Sequence, residues 1–452
     1  MATLEAPVHR GSFHIVSLGC TKNTVDSEAM AQLLLAAGHT RAADSTTADL
    51  VVVNTCSFIE SAKQESIDTL LELGDGKRDG QKLIATGCLV ERYADELQRE
   101  LPVVDGFLGA RNWSALPTLA DQVLQAVRAP GDSLGLVQLA EPGALDLEIP
   151  RRAAAGASAY VKISDGCDQR CAFCAIPFMK GNHRSKPADL ILREVGQLLE
   201  QGVQEVVLVG QDTTRYGRDL GHTDGLAALL EAMTDRYPSL PWVRVMYTYP
   251  RHVTERFLDV MRERPQVLPY IDMPLQHTHP WTLARMRRPH RDVDDLVGWM
   301  RSRVPDLVLR TTFIVGFPGE TEAEFEHLLA SVKRLRFDRV GVFTYSDEEG
   351  TASFEMPERV PNKDKVRRQQ RLMAAARDVT LAANRALIGQ HMDVLIEGQP
   401  EPGSDWFAGR SWRDAPEVDG LVLVKAAALP VGEFARVRIE RALAYDLLAR
   451  PV

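Results

Sequence analysis

Short apolar runs alternate with amphipathic stretches over the first part of the chain. The runs have the length of buried strands and lie at His14–Leu18, Leu50–Val53, Lys82–Ala85 and Val103–Leu108. Between them, apolar residues recur at the spacing of a helix face, at Val25–Ala37, Ile59–Leu73, Glu91–Leu101 and Ala115–Val127. Because strands that alternate with helices form parallel sheets, we predict an N-terminal parallel α/β domain over residues 1–128.

The alternation stops in residues 129–157 and then resumes. Residues 129–157 predict a surface linker, since they are rich in turn-forming residues such as Pro130, Gly131, Pro142, Gly143 and Pro150. From 158 to 383, helical patterns separate six further apolar runs: Tyr160–Ile163, Glu205–Val209, Trp242–Met246, Leu268–Ile271, Leu307–Val315 and Arg339–Phe343. Six strand–helix units are too few for a closed eight-stranded barrel. We therefore predict an open partial (β/α)6 barrel with its site at the carboxyl ends of the strands.

A third pattern follows the partial barrel. A charged helical stretch, Lys363 to Gly389, precedes short apolar segments with turns between them: Met392–Ile396, Trp406–Arg410, Leu421–Val424 and Phe434–Ile439. This pattern is typical of a small antiparallel barrel of the oligonucleotide-binding sort. We assign residues 384–452 to a five-stranded barrel, and the chain as a whole to the α/β class.

Composition and charge narrow the choice of partners. The 452 residues are 45% hydrophobic and 25% charged, with a formal net charge of −9. This acidity argues against broad nonspecific nucleic-acid binding and favours a basic partner. Residues 1–12 lack the apolar core of a signal peptide, and no stretch approaches the length of a membrane span. We expect a cytoplasmic protein without membrane contact, whose thiols stay reduced.

Six cysteines fall into two sets of three. Cys167, Cys171 and Cys174 share one loop at C-x3-C-x2-C spacing. Soft thiolates select zinc, copper(I) or an iron–sulfur cluster. Structural zinc and four-iron clusters both normally take four protein ligands, so three thiols leave one metal position open for a substrate or cofactor. The alternative is a Cys3His zinc site that His183 completes.

This spacing, with the aromatic Phe173 immediately before the third cysteine, resembles the radical S-adenosylmethionine (SAM) superfamily. The resemblance implies that Cys167, Cys171 and Cys174 are the catalytic ligands of a [4Fe–4S] cluster whose open iron binds SAM and cleaves it to a 5′-deoxyadenosyl radical. It also implies that Phe173 and residues at other strand ends contact SAM; here these are Gly210, Gln211, Asp212, Gln276, Arg310 and Glu320. Gly210-Gln211-Asp212 departs from the glycine-glycine-glutamate motif that is usual in the superfamily.

The second set of cysteines follows the first three predicted strands, at Cys20, Cys56 and Cys88. Because ligands bind outside the carboxyl ends of parallel strands, these thiols should meet in one crevice, although free cysteines are also common in protein cores. The constellation resembles the N-terminal domain of the methylthiotransferases, which implies a second [4Fe–4S] cluster. Small or amide residues near that cluster in the family correspond to Asn23, Asn54 and Gly87.

Two groups of polar residues have an ordinary interpretation. We interpret His277, His279 and His290 as loop histidines, because no second ligand set accompanies them. A basic group after the cysteine loop is either solvated or beside the substrate, and it comprises Lys180, His183, Arg184 and Lys186.

The resemblance to methylthiotransferases covers nearly the whole chain, and the last domain resembles their TRAM domain. One branch of that family modifies an adenosine of transfer RNA, and another methylthiolates the β-carbon of an aspartate in the twelfth protein of the small ribosomal subunit. Residues 391–452 contain ten Asp/Glu against seven Lys/Arg, which suits a basic protein better than phosphates. The segment Gly409–Gly420 resembles the ribosomal branch. We predict that activity, with Asp414, Glu417 and Asp419 attracting the basic substrate.

The predicted enzyme uses SAM both as methyl donor and as radical source, together with two [4Fe–4S] clusters. It also needs an electron donor such as flavodoxin or ferredoxin, and a sulfur donor that the sequence does not identify. Two alternatives stay open. One is a transfer-RNA adenosine methylthiotransferase, and the other is a non-catalytic iron–sulfur or zinc protein that binds RNA or ribosomes.

Overall fold

The computed structural model describes residues 10–126, 136–138, 156–288 and 292–452. These residues form, in chain order, a six-stranded parallel sheet, a second six-stranded parallel sheet and a closed five-stranded barrel. The predicted fold class is confirmed: a parallel α/β domain, a partial barrel and a small C-terminal barrel follow one another.

The N-terminal sheet has the strand order β2-β1-β3-β4-β5-β6. Its strands are β1 Ser12–Ser17, β2 Thr40–Arg41, β3 Leu50–Thr55, β4 Lys82–Gly87, β5 Gly106–Gly109 and β6 Leu136–Gln138. Its helices are α1 Thr21–Ala36, α2 Glu60–Asp75, α3 Cys88–Glu100 and α4 Leu116–Gln125, with a 3-10 turn at Trp113–Ala115. Strands β3 and β4 are buried along their whole length, as expected of central strands that helices cover on both faces.

The segment expected to be an irregular linker contributes a strand to this sheet. Residues 136–138 form β6, which pairs in parallel with β5 from Gly106↔Leu136 to Leu108↔Gln138. The linker prediction is therefore wrong at these three residues, because the open edge of β5 supplies backbone partners that local sequence does not reveal. Most of the remaining segment, 129–135 and 139–155, lies outside the described residues.

The central sheet is an open partial barrel with the strand order β14-β13-β12-β11-β10-β7. Its strands are β7 Ser158–Lys162, β10 Glu205–Val209, β11 Trp242–Val245, β12 Val267–Asp272, β13 Val308–Val315 and β14 Arg339–Thr344. Side chains alternate between its two faces. Val206 and Leu208 pack into the core beneath the outer helices, whereas Val207 and Val209 point into the barrel interior.

Eight helices of the described residues accompany this sheet. They are α5 Ile176–Lys180, α6 Ala188–Glu200, α7 Gly225–Arg236, α8 Glu255–Glu263, α9 Pro280–Arg285, α10 Val293–Arg303, α11 Glu322–Leu335 and α12 Asn362–Arg385, with 3-10 turns at Thr213–Arg215, Arg218–Leu220 and Pro250–His252. Helix α11 begins at a capping box, in which Thr321 and Glu324 satisfy each other's backbone N–H groups. Helix α12 connects the partial barrel to the C-terminal barrel.

The C-terminal barrel closes in the order β15-β16-β17-β19-β18. Its strands are β15 His391–Gly398, β16 Trp406–Ser411, β17 Val422–Lys425, β18 Phe434–Ala442 and β19 Leu447–Pro451. All its pairings are antiparallel except β17 with β19, which is parallel. The apolar pattern of the sequence does not show β19, because only its first two residues are large and apolar.

The loop after β16 inserts its carboxylates into the partial barrel rather than into solvent. Asp414 is 2% exposed and accepts a 2.6 Å hydrogen bond from Arg339. Asp419 accepts a 2.6 Å hydrogen bond from the Tyr270 hydroxyl, and burial raises the pKa of its carboxyl. Of the three carboxylates expected to attract a basic substrate, only Glu417 is exposed. That expectation is wrong for Asp414 and Asp419, because inward-facing arginines of the partial barrel bind them.

A buried ion triad fastens the two barrels together. Glu205 at the start of β10 lies 2.7 Å from Arg244 Nε and 2.6 Å from Arg410 Nη2, and all three side chains are at most 1% exposed. Burial alone would raise the pKa of Glu205, but the two guanidinium groups lower it to about 2. Trp242 adds an edge-on ring contact with Phe434, with centroids 4.7 Å apart. These contacts dock the C-terminal barrel on the partial barrel.

We predict that Glu205→Gln lowers the stability at pH 7 by about 3–5 kcal/mol, because two buried arginines lose their counter-charge. The pKa of Glu205 is lowered from 4.5 to about 2 on folding, which corresponds to about 3 kcal/mol present above pH 4.5 and lost as the pH falls toward 2. The difference in free energy of unfolding between wild type and variant should therefore shrink as the pH falls over that range. Urea unfolding of both proteins at several pH values measures this difference.

The matched control is Asp393→Asn, which removes an exposed pair with Arg436 and should cost less than about 1 kcal/mol. A Glu205→Gln effect as small as that of the control would mean that the triad does not stabilise the docked barrel.

Candidate active site

The loop that carries Cys167, Cys171 and Cys174 leaves the carboxyl end of β7 and is closed at its base. Strands β8 Ser164–Asp165 and β9 Arg184–Ser185 pair across this base. Gly166 has a φ of +75°, and a Cβ there would collide with the carbonyl oxygen of Asn182. Only glycine fits this position, so the loop doubles back tightly and holds three thiols over the mouth of the barrel.

The three thiols of this loop are buried or half-buried, and none forms a disulfide. Burial raises the pKa of Cys167 and of Cys174 to about 12, and the neighbouring Cys171 contributes to both shifts. The backbone N–H of Gln169 lies 3.4 Å from Cys167 Sγ, and Arg288 Nη1 lies 3.4 Å from Cys171 Sγ. Donors already aimed at sulfur favour metal-bound thiolates over protonated thiols. The donor set therefore fits a [4Fe–4S] cluster.

The zinc alternative requires His183 as a fourth ligand, but the contacts of its ring are with Ser185 and Asp219. Its Nε2 lies 3.2 Å from the Ser185 hydroxyl and 3.8 Å from Asp219, and burial lowers its pKa. Among the described residues, no three His, Cys, Asp or Glu side chains are grouped as ligands of a single metal ion. A four-iron cluster instead takes its thiolates on separate irons, which suits this loop better.

The basic group after the cysteine loop is not a solvated patch. Lys180 and His183 are 8% and 4% exposed, and Lys186 is paired with Glu194. His277 is fully buried, 3.4 Å from Glu320, and His279 lies 3.5 Å from Glu324. His290 lies outside the described residues.

The mouth of the barrel offers polar atoms that have no partner within the protein. Gln211 donates from Nε2 to Asp165 at 2.8 Å, while its Oε1 is buried without a hydrogen-bond partner. Ser164 Oγ, next to Gly210, is likewise buried and unpartnered. Asp212 accepts a bond from Thr214 at 2.6 Å and contacts His252 Nδ1 at 2.8 Å. The two unpartnered atoms, unlike the bonded Asp212, fit a polar ligand such as SAM beside the thiol loop, because unpartnered buried polar atoms are rare.

The other residues predicted to contact SAM are packed against, or bonded to, other parts of the protein. Phe173 packs half-buried against the cluster of Ala172, Met286, Phe317 and Tyr345. Gln276 has a φ of +70°, and its backbone bonds to Thr312 and Ile314 of β13. Arg310 lies 2.7 Å from Asp272 and 3.4 Å from Asp419, facing the C-terminal barrel. Glu320 is buried against Arg368 and His277. Their contact with SAM stays a prediction.

The second set of thiols lies at the carboxyl ends of three adjacent strands, β1, β3 and β4. Cys20 precedes α1, Cys56 follows β3, and Cys88 is the first residue of α3. Burial raises the pKa of Cys88 to about 12, and Cys20 and Cys56 add to the shift, so the three thiols interact electrostatically. Gly19 makes this approach possible, because a Cβ there would lie 2.8 Å from Cys56 Sγ.

Amide side chains fix the turns that carry these thiols. Asn23 donates from Nδ2 to the carbonyls of Leu18 and Thr55 at 2.9 and 3.1 Å. Asn54 donates to the carbonyl of Asn23 and to the Ser27 hydroxyl, both at 3.0 Å. Asn23 and Asn54 therefore position backbone near the thiols.

A buried charge network joins the two sets. Lys162 of β7 and Lys180 of α5 both bind Asp26 of α1, with Lys180 Nζ at 3.1 Å. Asp165 lies 3.2 Å from Lys162 and 3.8 Å from Lys180. Burial opposes the charged form of Asp165, but the two lysines hold its pKa well below the ordinary value. Next to this network, Cys88 packs with Ala175 and Met179 of the other loop. The two thiol sets are thus neighbours.

Comparison with known proteins places this geometry in a family. Three family models match in chain order: the uncharacterized protein family UPF0004 at residues 12–109, the radical SAM superfamily at 161–332 and the TRAM domain at 388–452. The ribosomal protein uS12 methylthiotransferase RimO of Herpetosiphon aurantiacus is 45% identical, over 96% of this chain and 98% of that protein. The RimO protein of Microcystis aeruginosa is 44% identical, over 96% and 97%.

The chain belongs to the RimO family of methylthiotransferases. Membership of the radical SAM superfamily implies a [4Fe–4S] cluster and SAM. Among solved structures, the radical SAM methyltransferase TsrM of Kitasatospora setae has a TM-score of 0.57 at 14% identity, over 76% of this chain and 74% of that one. The cobalamin-dependent enzyme OxsB has a TM-score of 0.51 at 10% identity, over 80% and 56%. These two likenesses show the fold alone. Within the described residues, no helix is both long and apolar enough to cross a bilayer.

Several residues of the RimO-family site escape sequence reasoning. Arg288 is buried against Cys171 and stacks over Tyr249 with 4.4 Å to the ring centroid, although it lies 117 residues beyond that cysteine. Lys162 and Asp26 are 136 residues apart. Lys162 could have been noticed in the sequence because a lysine is unusual in an apolar strand. No local sequence feature distinguishes Asp26 or Arg288 as a residue of the site.

We predict that Asp26→Ala lowers the free energy of unfolding by about 3–5 kcal/mol, because Lys162 and Lys180 then share a single buried counter-ion. Asp189→Ala is the control, since it removes an exposed pair with Arg193 and should cost less than about 1 kcal/mol. Denaturant unfolding followed by tryptophan fluorescence compares the two variants. Equal losses of unfolding free energy in the two variants would contradict a stabilising role of the Asp26 network.

Proposed function

We propose that this chain methylthiolates the β-carbon of an aspartate in ribosomal protein uS12. The observation that carries the proposal is the presence of two separate sets of three free thiols, which α5 and the Asp26 network hold side by side. Its relatives named for this activity match along nearly their whole length, which supports the same substrate here.

The chemistry of the substrate explains why the site needs a radical centre. An aspartate β-carbon carries no leaving group, so a thiolate cannot displace anything from it, and the bound hydrogen must first be removed. When bound, the cluster and SAM supply the electron and the hydrogen-abstracting radical for this step. Cys167, Cys171 and Cys174 would hold that cluster, while Arg288 compensates the charge at Cys171.

The remaining thiols would hold a second cluster that carries the sulfur. Cys20, Cys56 and Cys88 form a separate set in a separate fold, so sulfur loading and SAM cleavage can be assigned to different domains. Lys180 lies between them, since it binds Asp26 and contributes to the electrostatic surroundings of Cys88. SAM serves twice in this proposal, as methyl donor and as radical source.

SAM would lie at the mouth of the partial barrel. The unpartnered Ser164 Oγ and Gln211 Oε1 could bond its polar groups, while Asp165 orients Gln211 through the bond to Nε2. An external reductant such as flavodoxin or ferredoxin and a sulfur donor complete the proposal. A cytoplasmic location follows from the ribosomal substrate.

The proposal is tested by incubating the cluster-loaded protein with SAM, a reductant, sulfide and purified uS12. We expect uS12 to gain one methylthio group, which fragment-ion mass spectrometry locates on an aspartate. Transfer RNA is the parallel substrate. Modification of an adenosine in place of uS12 would assign the chain to the other branch, and modification of neither would contradict the activity.

We predict that Cys171→Ala abolishes 5′-deoxyadenosine formation, because two thiolates no longer define a cluster with one open iron. The measurement is chromatographic quantification of 5′-deoxyadenosine after reduction. The N-terminal set should still bind iron and sulfide. Formation of 5′-deoxyadenosine at the wild-type rate would contradict the assignment of this loop.

The reciprocal prediction concerns the N-terminal set. Cys56→Ala should lose about half of the bound iron yet retain SAM cleavage, because the other three thiols are untouched. The variant should nevertheless leave uS12 unmodified. Loss of SAM cleavage in a variant that keeps the wild-type circular dichroism spectrum would show that the two centres are not separable.

A further inference from the structure

A cleft of about 370 Å³ opens where α3, α5 and the loop after β14 meet. Residues Glu91, Tyr93 and Glu96 of α3 form one wall, Phe178 of α5 another, and Glu349 of the loop a third. The cleft adjoins both thiol sets in the chain, because α3 begins at Cys88 and α5 begins two residues after Cys174.

The lining of this cleft is acidic. Three of its residues are glutamates, and its one cation, Arg92, is already engaged by Glu348 at 2.9 Å and by the carbonyl of Ser57 at 3.1 Å. Glu96 and Glu349 are exposed. A surface with this balance attracts a positively charged ligand and repels nucleic acid.

A buried carboxylate with one unpartnered oxygen gives a second, independent indication of a ligand. The Glu91 side chain is 2% exposed, and its Oε1 accepts a 2.7 Å hydrogen bond from Arg111. Its Oε2 is buried and has no hydrogen-bond partner, and the same holds for the Tyr93 hydroxyl. Both residues line the cleft. Buried polar atoms are nearly always partnered, so these two atoms leave hydrogen-bonding capacity for a polar group from outside the chain.

We propose that this cleft binds a lysine- or arginine-bearing segment of the ribosomal protein that flanks the modified aspartate. The inference rests on the proposed function and specifies how its substrate is recognised. Glu91, Glu96 and Glu349 would accept hydrogen bonds from the cation. The 54% exposed ring of Phe178 would pack against its aliphatic stem and attract its charge, whereas the Tyr93 ring already lies 4.9 Å from Arg92 and 5.5 Å from Lys63.

In this proposal the cleft takes the recognition role that the sequence favours for Asp414 and Asp419. Asp414 and Asp419, which the sequence favours for that role, are committed to Arg339 and Tyr270 within the protein. Glu96 and Glu349 have no such commitment among the described contacts, and Glu96 lies on the helix that begins at Cys88. Recognition at the cleft would hold the substrate against the helices that follow Cys88 and Cys174 in the chain.

The test measures binding of a fluorescent uS12 peptide that contains the modified aspartate and its neighbouring cations to the cluster-loaded enzyme. Glu96→Gln combined with Glu349→Gln should weaken binding about tenfold, since each exposed ionic contact is worth up to about fivefold. The loss should shrink at high salt. SAM cleavage without substrate should be unchanged, because neither residue belongs to a thiol loop.

Two controls isolate the role of the cleft. Glu72→Gln combined with Glu200→Gln makes the same change of net charge at exposed positions of α2 and α6, and should leave the dissociation constant within twofold of wild type. A peptide in which glutamine replaces every lysine and arginine should bind wild type and the cleft variant equally weakly.

The outcomes separate this inference from the proposed function. If wild type modifies uS12 while the cleft variant binds and modifies it equally well, the cleft is not the recognition surface and the activity stands. Tight binding of the lysine- and arginine-free peptide to wild type would also overturn the inference. If wild type does not modify uS12 at all, the proposed function fails first.

Discussion

Two lysines and two aspartates buried between the N-terminal and central domains hold the two thiol sets side by side. Charges removed from water are tolerated only where opposite charges meet them in good geometry, and Asp26, Lys162, Asp165 and Lys180 provide this for one another. Because a shifted arrangement would leave at least one charge unpaired, the network specifies one relation between the domains. The relation of Cys88 to the loop of Cys174 depends on it.

The same principle governs the opposite side of the partial barrel. Arg244, Arg310 and Arg339 point into the interior of the partial barrel. Acidic residues neutralise all three of them. Asp414 and Asp419 come from the C-terminal barrel, so that barrel closes this end of the partial barrel. The interior is filled from this side, and the site is left at the carboxyl ends of the strands, where the thiol loop lies.

Much of the fold follows from local pattern. Central strands such as β3 are uninterrupted apolar runs between turn residues, and their periodicity separates them from the helices. The thiols at the ends of β1, β3 and β4 could be assigned to one crevice because parallel strands place their carboxyl ends at one edge. Three-residue β6 and short β19 escaped prediction, since an edge strand depends on the partner that it finds rather than on its own composition.

The sequence by itself determined the two thiol sets, the strand ends that present them and the family to which the chain is similar, because each of these features rests on a local pattern of residues. Only the tertiary structure decided which charges meet. The partner of Lys162 is 136 residues away, Arg288 reaches Cys171 across 117, and Asp414 is bound by an arginine 75 residues earlier. A carboxylate in a turn has the same sequence pattern whether it faces water or a buried arginine. Its exposure is fixed by the packing of distant elements, which buried the Asp414 and Asp419 side chains and left Glu96 and Glu349 exposed.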